Sequence, residues 1–172
     1  LFRSSVSGYG IISGFTNDGN KIPQQTIPQY YDKLGFSYNK FADSITVSET
    51  EWDFERYKPD IIVINLGTND MNYATTDERK AEFEDGYLDF LKKVRSLNPD
   101  SYIFQTYGVM GTSLEENIEN VRRKYMSETG DERITFIPLT MQDEDADGIV
   151  ADWHPSPRTH SLVSQKVTAA IK

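Results

Sequence analysis

The clearest strand signal in the chain is Asp60–Leu66, DIIVINL, a β-branched run without polar alternation. Such a run predicts a central parallel strand covered on both faces. From Asp77 to Leu97 the period changes. Phe83, Tyr87, Phe90, Leu91 and Val94 recur at spacings of three and four, which predicts a long helix with one apolar stripe. Asn98-Pro99 ends it. Tyr102–Tyr107 (YIFQTY) reads as a second strand, and Leu114–Met126 as a second helix closed by Gly130. Arg133–Pro138 (RITFIP) reads as a third strand. An acidic loop, DEDADG, and the segment DWHPSPRTH then lead into a terminal helix reaching Lys172. Upstream, SSVSGYGIISG reads as the end of a strand entering a glycine-rich loop. Phe15–Pro28 carries turn signals, and TIPQYYDKLG a short helical turn ending at Gly35.

Strands alternating with helices predict an α/β fold with a parallel sheet and right-handed crossovers. In such sheets ligands bind beyond the carboxyl ends of the strands. SGYG, GTND and DWHP all follow predicted strands, so all three are expected to converge on that edge. The 172 residues contain no repeat or linker and predict one domain, 1–172, large enough to bury a substantial core. With 27 acidic against 18 basic side chains the net charge is −9, which disfavours nucleic acid and anionic membrane surfaces as partners. No apolar run approaches the roughly 20 residues of a membrane-spanning helix. The absence of cysteine excludes disulfides, a thiol nucleophile and thiolate metal sites. Imidazole chemistry falls to His154 or His160, the two histidines.

Asp152-Trp153-His154-Pro155 is the most informative cluster. Residues two apart in an extended segment share a face, so a bend can bring the Asp152 carboxylate to the His154 ring. That carboxylate would fix the tautomer and leave the other ring nitrogen as a general base. The alternative is a capping aspartate beside a surface histidine. In Gly67-Thr68-Asn69-Asp70, Asn69 can offer a neutral donor to a developing oxyanion, while capping of the next helix is the competing role, above all for Asp70. Ser7-Gly8-Tyr9-Gly10 is either a tight turn or a backbone N–H facing the site at Gly8. It lacks the spacing of a nucleotide-binding loop. Asp143-x-Asp145-x-Asp147-Gly148 resembles half a calcium loop, but the position that should carry glutamate is His154, so a solvated acidic loop is expected. Tyr9, Tyr107 and Trp153 sit near strand ends, where aromatic rings are either core or a sugar-stacking platform.

Taken together, SGYG, TIPQYYDKLG, PDIIVINLGTND and DWHPSPRTH resemble the SGNH (GDSL-type) hydrolases, and most closely the polysaccharide deacetylases of carbohydrate esterase family 2. The resemblance covers essentially the whole chain. It implies a flavodoxin-like three-layer α/β/α sandwich. It also assigns Gly8 as the second-block oxyanion glycine, Asn69 as the third-block oxyanion asparagine, Asp152 and His154 as the fifth-block pair, and His160 as a structural histidine. One departure stands out. The family's Gly-Asp-Ser block should precede Gly8 by a strand and a helix, roughly 30 residues, whereas seven residues precede it here. Ser4, Ser5 and Ser7 lie too close to substitute. The chain begins at Leu1 without methionine or signal peptide and reads as a fragment or processed product, its N-terminal strand and helix missing and an edge of DIIVINL exposed.

The resemblance implies a secreted or cell-surface serine esterase that deacetylates acetylxylan or acetylmannan. It implies no metal or organic cofactor, and in the parent protein an additional jelly-roll or carbohydrate-binding domain. Tyr9, Tyr107 and Trp153 would contact sugar. Two rivals stand beside it: a same-fold esterase or lipase acting on small acyl esters, and a catalytically incomplete glycan-binding module.

Overall fold

The computed structural model describes residues 6–36, 40–41 and 45–172. A small antiparallel ladder, β1 (Lys40–Phe41) with β2 (Ile45–Thr46), precedes the main sheet. That sheet contains β3 (Ile61–Asn65), β4 (Tyr102–Tyr107) and β5 (Ile134–Pro138), parallel throughout and in the order β3-β4-β5. Helix α1 (Asp77–Leu97) crosses from β3 to β4, and α2 (Glu115–Thr129) from β4 to β5. A one-turn helix, α3 (Glu144–Asp147), and the terminal helix α4 (Pro157–Ile171) complete the chain order.

The helix limits follow from local chemistry. The Thr76 hydroxyl accepts the Arg79 N–H at the start of α1, with Asp77 and Glu78 in the first turn and Arg95 in the last, each favourable to the helix dipole. Gly130 closes α2 at φ +69°, a left-handed cap that glycine takes without strain. Ser156 caps α4 through the Thr159 N–H, and Pro157 opens it.

Strand alternation divides the core into two. Ile103 and Tyr107 on β4, with Ile64 and Ile134 beside them, join Phe83, Tyr87, Leu91 and Val94 of α1 and Ile118, Val121 and Tyr125 of α2. Phe104 of β4 and Ile137 of β5 face the other way and meet Val163, Val167 and Ile171, an i, i+4, i+8 stripe on α4. The result is a three-layer α/β/α arrangement around an open parallel sheet.

Several sequence expectations change. DIIVINL is not covered on both faces. Ile61 and Val63 are 43% and 46% exposed. Among the described residues β3 lies at the sheet edge, which agrees with the exposed edge expected of DIIVINL, and β4 is the strand flanked on both sides. The described part of SSVSGYGIISG forms no strand beyond an isolated bridge from Gly10 to Thr26, because Asp70 takes the N–H groups of Ile11, Ile12 and Ser13. TIPQYYDKLG yields only a 3-10 turn, Ile27–Gln29. The Lys33–Glu51 bridge and the Leu34 N–H bond to the Thr50 carbonyl draw the chain away. The ladder of β1 and β2 was not anticipated.

Asp131 ties α1 and α2 to the chain entering β5. Its carboxylate meets Arg95 Nε of α1 at 2.6 Å and accepts the Tyr125 hydroxyl of α2 at 2.9 Å and the Arg133 N–H at 3.1 Å. Partial burial alone raises this carboxyl, but the Arg133 N–H, the Tyr125 hydroxyl and the Arg133 and Arg95 guanidiniums outweigh it and hold it below its usual range. A depressed native carboxyl stabilises above its unfolded value, about 4, and that contribution disappears as pH falls through the native value. Asp131→Asn is therefore expected to cost about 2 kcal/mol at neutral pH. The deficit relative to the parent should shrink below about pH 4. Urea midpoints at the two pH values check this, and a deficit independent of pH would contradict it.

Candidate active site

Because β3, β4 and β5 are parallel, the loops that follow them leave the same edge of the sheet. The loop after β3 carries Asn69 and Asp70, the loop after β4 carries Gly108 and Gly111, and the chain after β5 carries Asp152–His154. These loops are linked in series. A side chain at Gly111 would press on Met71 Sδ, and the Gln142 N–H donates to the Val109 carbonyl at 3.0 Å.

Asn69 and the glycine-rich segment come together directly. Asn69 Nδ2 donates to the Tyr9 carbonyl at 2.7 Å, across 60 positions of sequence. The amide nitrogen carries two N–H groups, so this bond fixes the side chain and leaves a second donor. Gly8 stands one residue away at φ +80°, with nothing within 4 Å of where a Cβ would be. Glycine is needed there for the backbone angle, and the space beside it is open.

Asp70 has a role that sequence reasoning missed. Thr76, not Asp70, caps α1. The Asp70 side chain is fully buried and accepts the Ile11 N–H at 3.0 and 2.9 Å on its two oxygens, and the Ile12 and Ser13 N–H groups at 2.8 and 3.0 Å. Gly10 permits this approach, since a Cβ there would strike the Asp70 carboxylate and the Ser13 carbonyl. Burial pushes the Asp70 carboxyl up from its ordinary value, against the lowering pull of those three N–H groups. One carboxylate thus anchors the loop that follows Gly8, and the neighbouring amide anchors Tyr9. The only sequence signal was a second polar residue directly after Asn69.

His154 is exposed, at the end of the 3-10 turn Ala151–Trp153. Its Nδ1 lies 3.2 Å from the Ala151 carbonyl, and its backbone N–H donates to the same oxygen at 3.2 Å. A carbonyl only accepts, so this contact selects the Nδ1–H tautomer and leaves Nε2 as the acceptor. The expected Asp152 partner is therefore corrected. Asp152 and Trp153 both adopt left-handed backbone, φ 54° and 61°, so the chain turns back on itself and presents a main-chain oxygen to the ring. Two consecutive non-glycine residues in that region cost about 1–3 kcal/mol each and persist only where the surroundings hold them, often at functional sites.

The aromatic platform is corrected in one member. Tyr107 is fully buried, because its position on β4 faces α1 and α2, and it cannot stack on a sugar. Trp153 is 63% exposed and available. Tyr9 is half-buried, its ring packed on Tyr30 and Phe36 at centroid distances of 6.1 and 5.8 Å. His160 lies exposed on α4, which removes the expected structural role for its ring. Ser7 is exposed, Ser4 and Ser5 lie outside the described residues, and among the described residues no serine hydroxyl hydrogen-bonds the His154 ring. In the acidic loop Asp143 caps α3, while Asp147 meets Arg158 Nε at 2.7 Å.

A family model of the GDSL-like lipase/acylhydrolases matches residues 4–162, a span that includes the glycine-rich segment, Asn69 and His154. The chain belongs to this family. The chain is 35% identical over 143 residues to the cellulase/esterase CelE of Acetivibrio thermocellus, covering 78% of the chain and 17% of that protein. Its fold is that of an acetyl xylan esterase from the rumen bacterium Butyrivibrio proteoclasticus, with a TM-score of 0.82 at 24% identity over 95% of the chain and 48% of that structure. A family two carbohydrate esterase from Clostridium thermocellum, solved with cellohexaose, matches with a TM-score of 0.74 at 30% identity, over 96% of the chain and 47% of that structure. The chain thus spans less than half the length of each of these relatives. Family membership and these similarities place the chain beside the family two carbohydrate esterases in fold and sequence.

Proposed function

We propose that residues 1–172 belong to the catalytic domain of an extracellular carbohydrate esterase that removes acetyl groups from plant-wall polysaccharides such as xylan or mannan, the nucleophilic serine lying outside these residues. The observation that carries this reading is His154, an exposed imidazole whose Nδ1 rests on the Ala151 carbonyl at 3.2 Å and whose Nε2 can take a proton. In this reading His154 accepts the proton of a serine hydroxyl as its oxygen attacks the acetyl carbonyl, then returns it to the departing sugar oxygen. The Gly8 N–H and the second N–H of Asn69 receive the oxyanion, being neutral donors that need no protonation change of their own. Trp153, exposed beside His154, offers a face to a sugar ring, and Tyr9 borders the oxyanion donors. The similarity to CelE, a cellulase/esterase, and to the Clostridium thermocellum carbohydrate esterase bound to cellohexaose supports a glycan ester as substrate.

The test is acyl-chain and glycan selectivity. Turnover of an aryl acetate well above an aryl octanoate, with acetate released from acetylated xylo-oligosaccharides, is the expected result. Preference for the octanoate would favour an esterase of small acyl lipids. Binding of cellohexaose with no hydrolysis of any ester would favour a glycan-binding module.

Asn69→Ala is expected to lower kcat by about 10²–10³, the usual loss for one oxyanion donor, with KM little changed. If turnover holds while the melting temperature drops, Asn69 serves only to tether Tyr9.

A further inference from the structure

The strained turn before His154 is restrained at identifiable points. The Val150 N–H donates to the His154 carbonyl at 2.9 Å, and an antiparallel bridge joins Ile149 to Pro155. Both ties lie within the loop itself. Gln142 supplies a tie to the sheet. Its backbone N–H donates to the Val109 carbonyl just beyond β4 at 3.0 Å, and its Nε2 donates to the Trp153 carbonyl at 2.8 Å.

The identity of that carbonyl matters. Trp153 C=O and His154 N–H belong to one planar peptide group. Gln142 holds the oxygen end of this plane, and the Ala151 carbonyl holds the N–H end. With both ends fixed, the plane places the His154 Cα, and at His154 φ −70° this directs the Cα–Cβ bond so that the ring reaches the Ala151 carbonyl. Among the described residues, Gln142 is the one side chain that donates to the Trp153 carbonyl. We propose that Gln142 is a positioning residue for His154, holding the Trp153–His154 peptide plane so that the ring keeps its Nδ1–H on the Ala151 carbonyl and Nε2 stays unprotonated.

The inference deepens the reading of His154 as a general base, but its first test needs no activity. Ring-nitrogen NMR on the chain reports two histidines, and His160, exposed on α4, serves as the internal reference. At a pH where both rings are neutral, His154 is expected to show protonated Nδ1 and bare Nε2. In Gln142→Met, which keeps the backbone tie to Val109 but cannot donate from its side chain, His154 should become a tautomer mixture while His160 does not change. Gln142→Asn, too short to reach the carbonyl, should behave the same way and serves if the first variant fails to fold. Near-ultraviolet circular dichroism from Trp52 and Trp153 checks folding. In the active esterase Gln142→Met should lower kcat about 10–100-fold with KM within about twofold, as expected for a displaced catalytic group. An unchanged His154 tautomer in either folded variant overturns the proposal. A lost tautomer with unchanged kcat upholds the positioning role and instead removes the catalytic reading of His154.

Discussion

His154→Ala is expected to lower kcat of the active esterase by on the order of 10⁴–10⁶, the scale of losing the proton acceptor of a nucleophile–base pair. KM should stay close to the parent value, because the ring acts on a proton in flight and not on the bound ester. Stability should hardly move. The ring is exposed, its contact is with the Ala151 carbonyl, and the backbone N–H bond to that carbonyl survives the substitution. The same geometry makes a second, discriminating statement about Asp152. Were its carboxylate the orienting partner, Asp152→Asn would cost on the order of 10⁴ in kcat. Since Nδ1 faces a main-chain carbonyl instead, Asp152→Asn should remain within about tenfold of the parent. Asparagine also tolerates the left-handed backbone at φ 54°, so the variant tests the carboxylate and not the turn. Steady-state kinetics on both variants check this. A collapse of kcat in Asp152→Asn would restore the carboxylate as the partner of the ring.

The largest effect on stability is expected from Asp70→Ala. The carboxylate is fully buried and serves three successive backbone N–H groups of the glycine-rich loop. Its removal leaves those donors without an acceptor, and each buried unsatisfied donor costs about 1–3 kcal/mol. Even the lower end of that range, about 3 kcal/mol in total, is a large part of the 5–15 kcal/mol that holds an ordinary domain. Asp70→Asn should fall between the two. It keeps one accepting oxygen but turns an NH₂ toward the Ile11 N–H, which meets both carboxylate oxygens. Urea midpoints at unchanged slope measure these losses. A change under about 1 kcal/mol in Asp70→Ala would mean that the loop is held by other contacts. Because Asn69 fastens Tyr9 from the adjacent position, Asp70→Asn should also lower kcat, by loosening the segment that presents Gly8.

What the sequence determined by itself is what local physics encodes. The stripe at Phe83, Tyr87, Phe90, Leu91 and Val94 set the extent of α1, the αL preference of Gly130 closed α2, and Ser156-Pro157 opened α4. Each signal acts within about one helical turn, so no knowledge of distant residues is required. The alternation of strands and helices then put GTND and DWHP on one sheet edge, since parallel strands all end on the same side. Only the tertiary structure decided which partner each polar group takes. Asp70 binds a loop 59 positions away, a pairing that no local spacing records. The His154 ring meets the Ala151 carbonyl because two backbone angles change sign at Asp152 and Trp153, and side-chain identity does not reveal that sign for residues other than glycine. Tyr107 is buried and Trp153 exposed, although both end at the same edge, because one lies on a strand face roofed by helices and the other on a loop. The exposed face of β3 at Ile61 and Val63 is decided in the same way, by what packs on the strand and not by the apolar run that forms it.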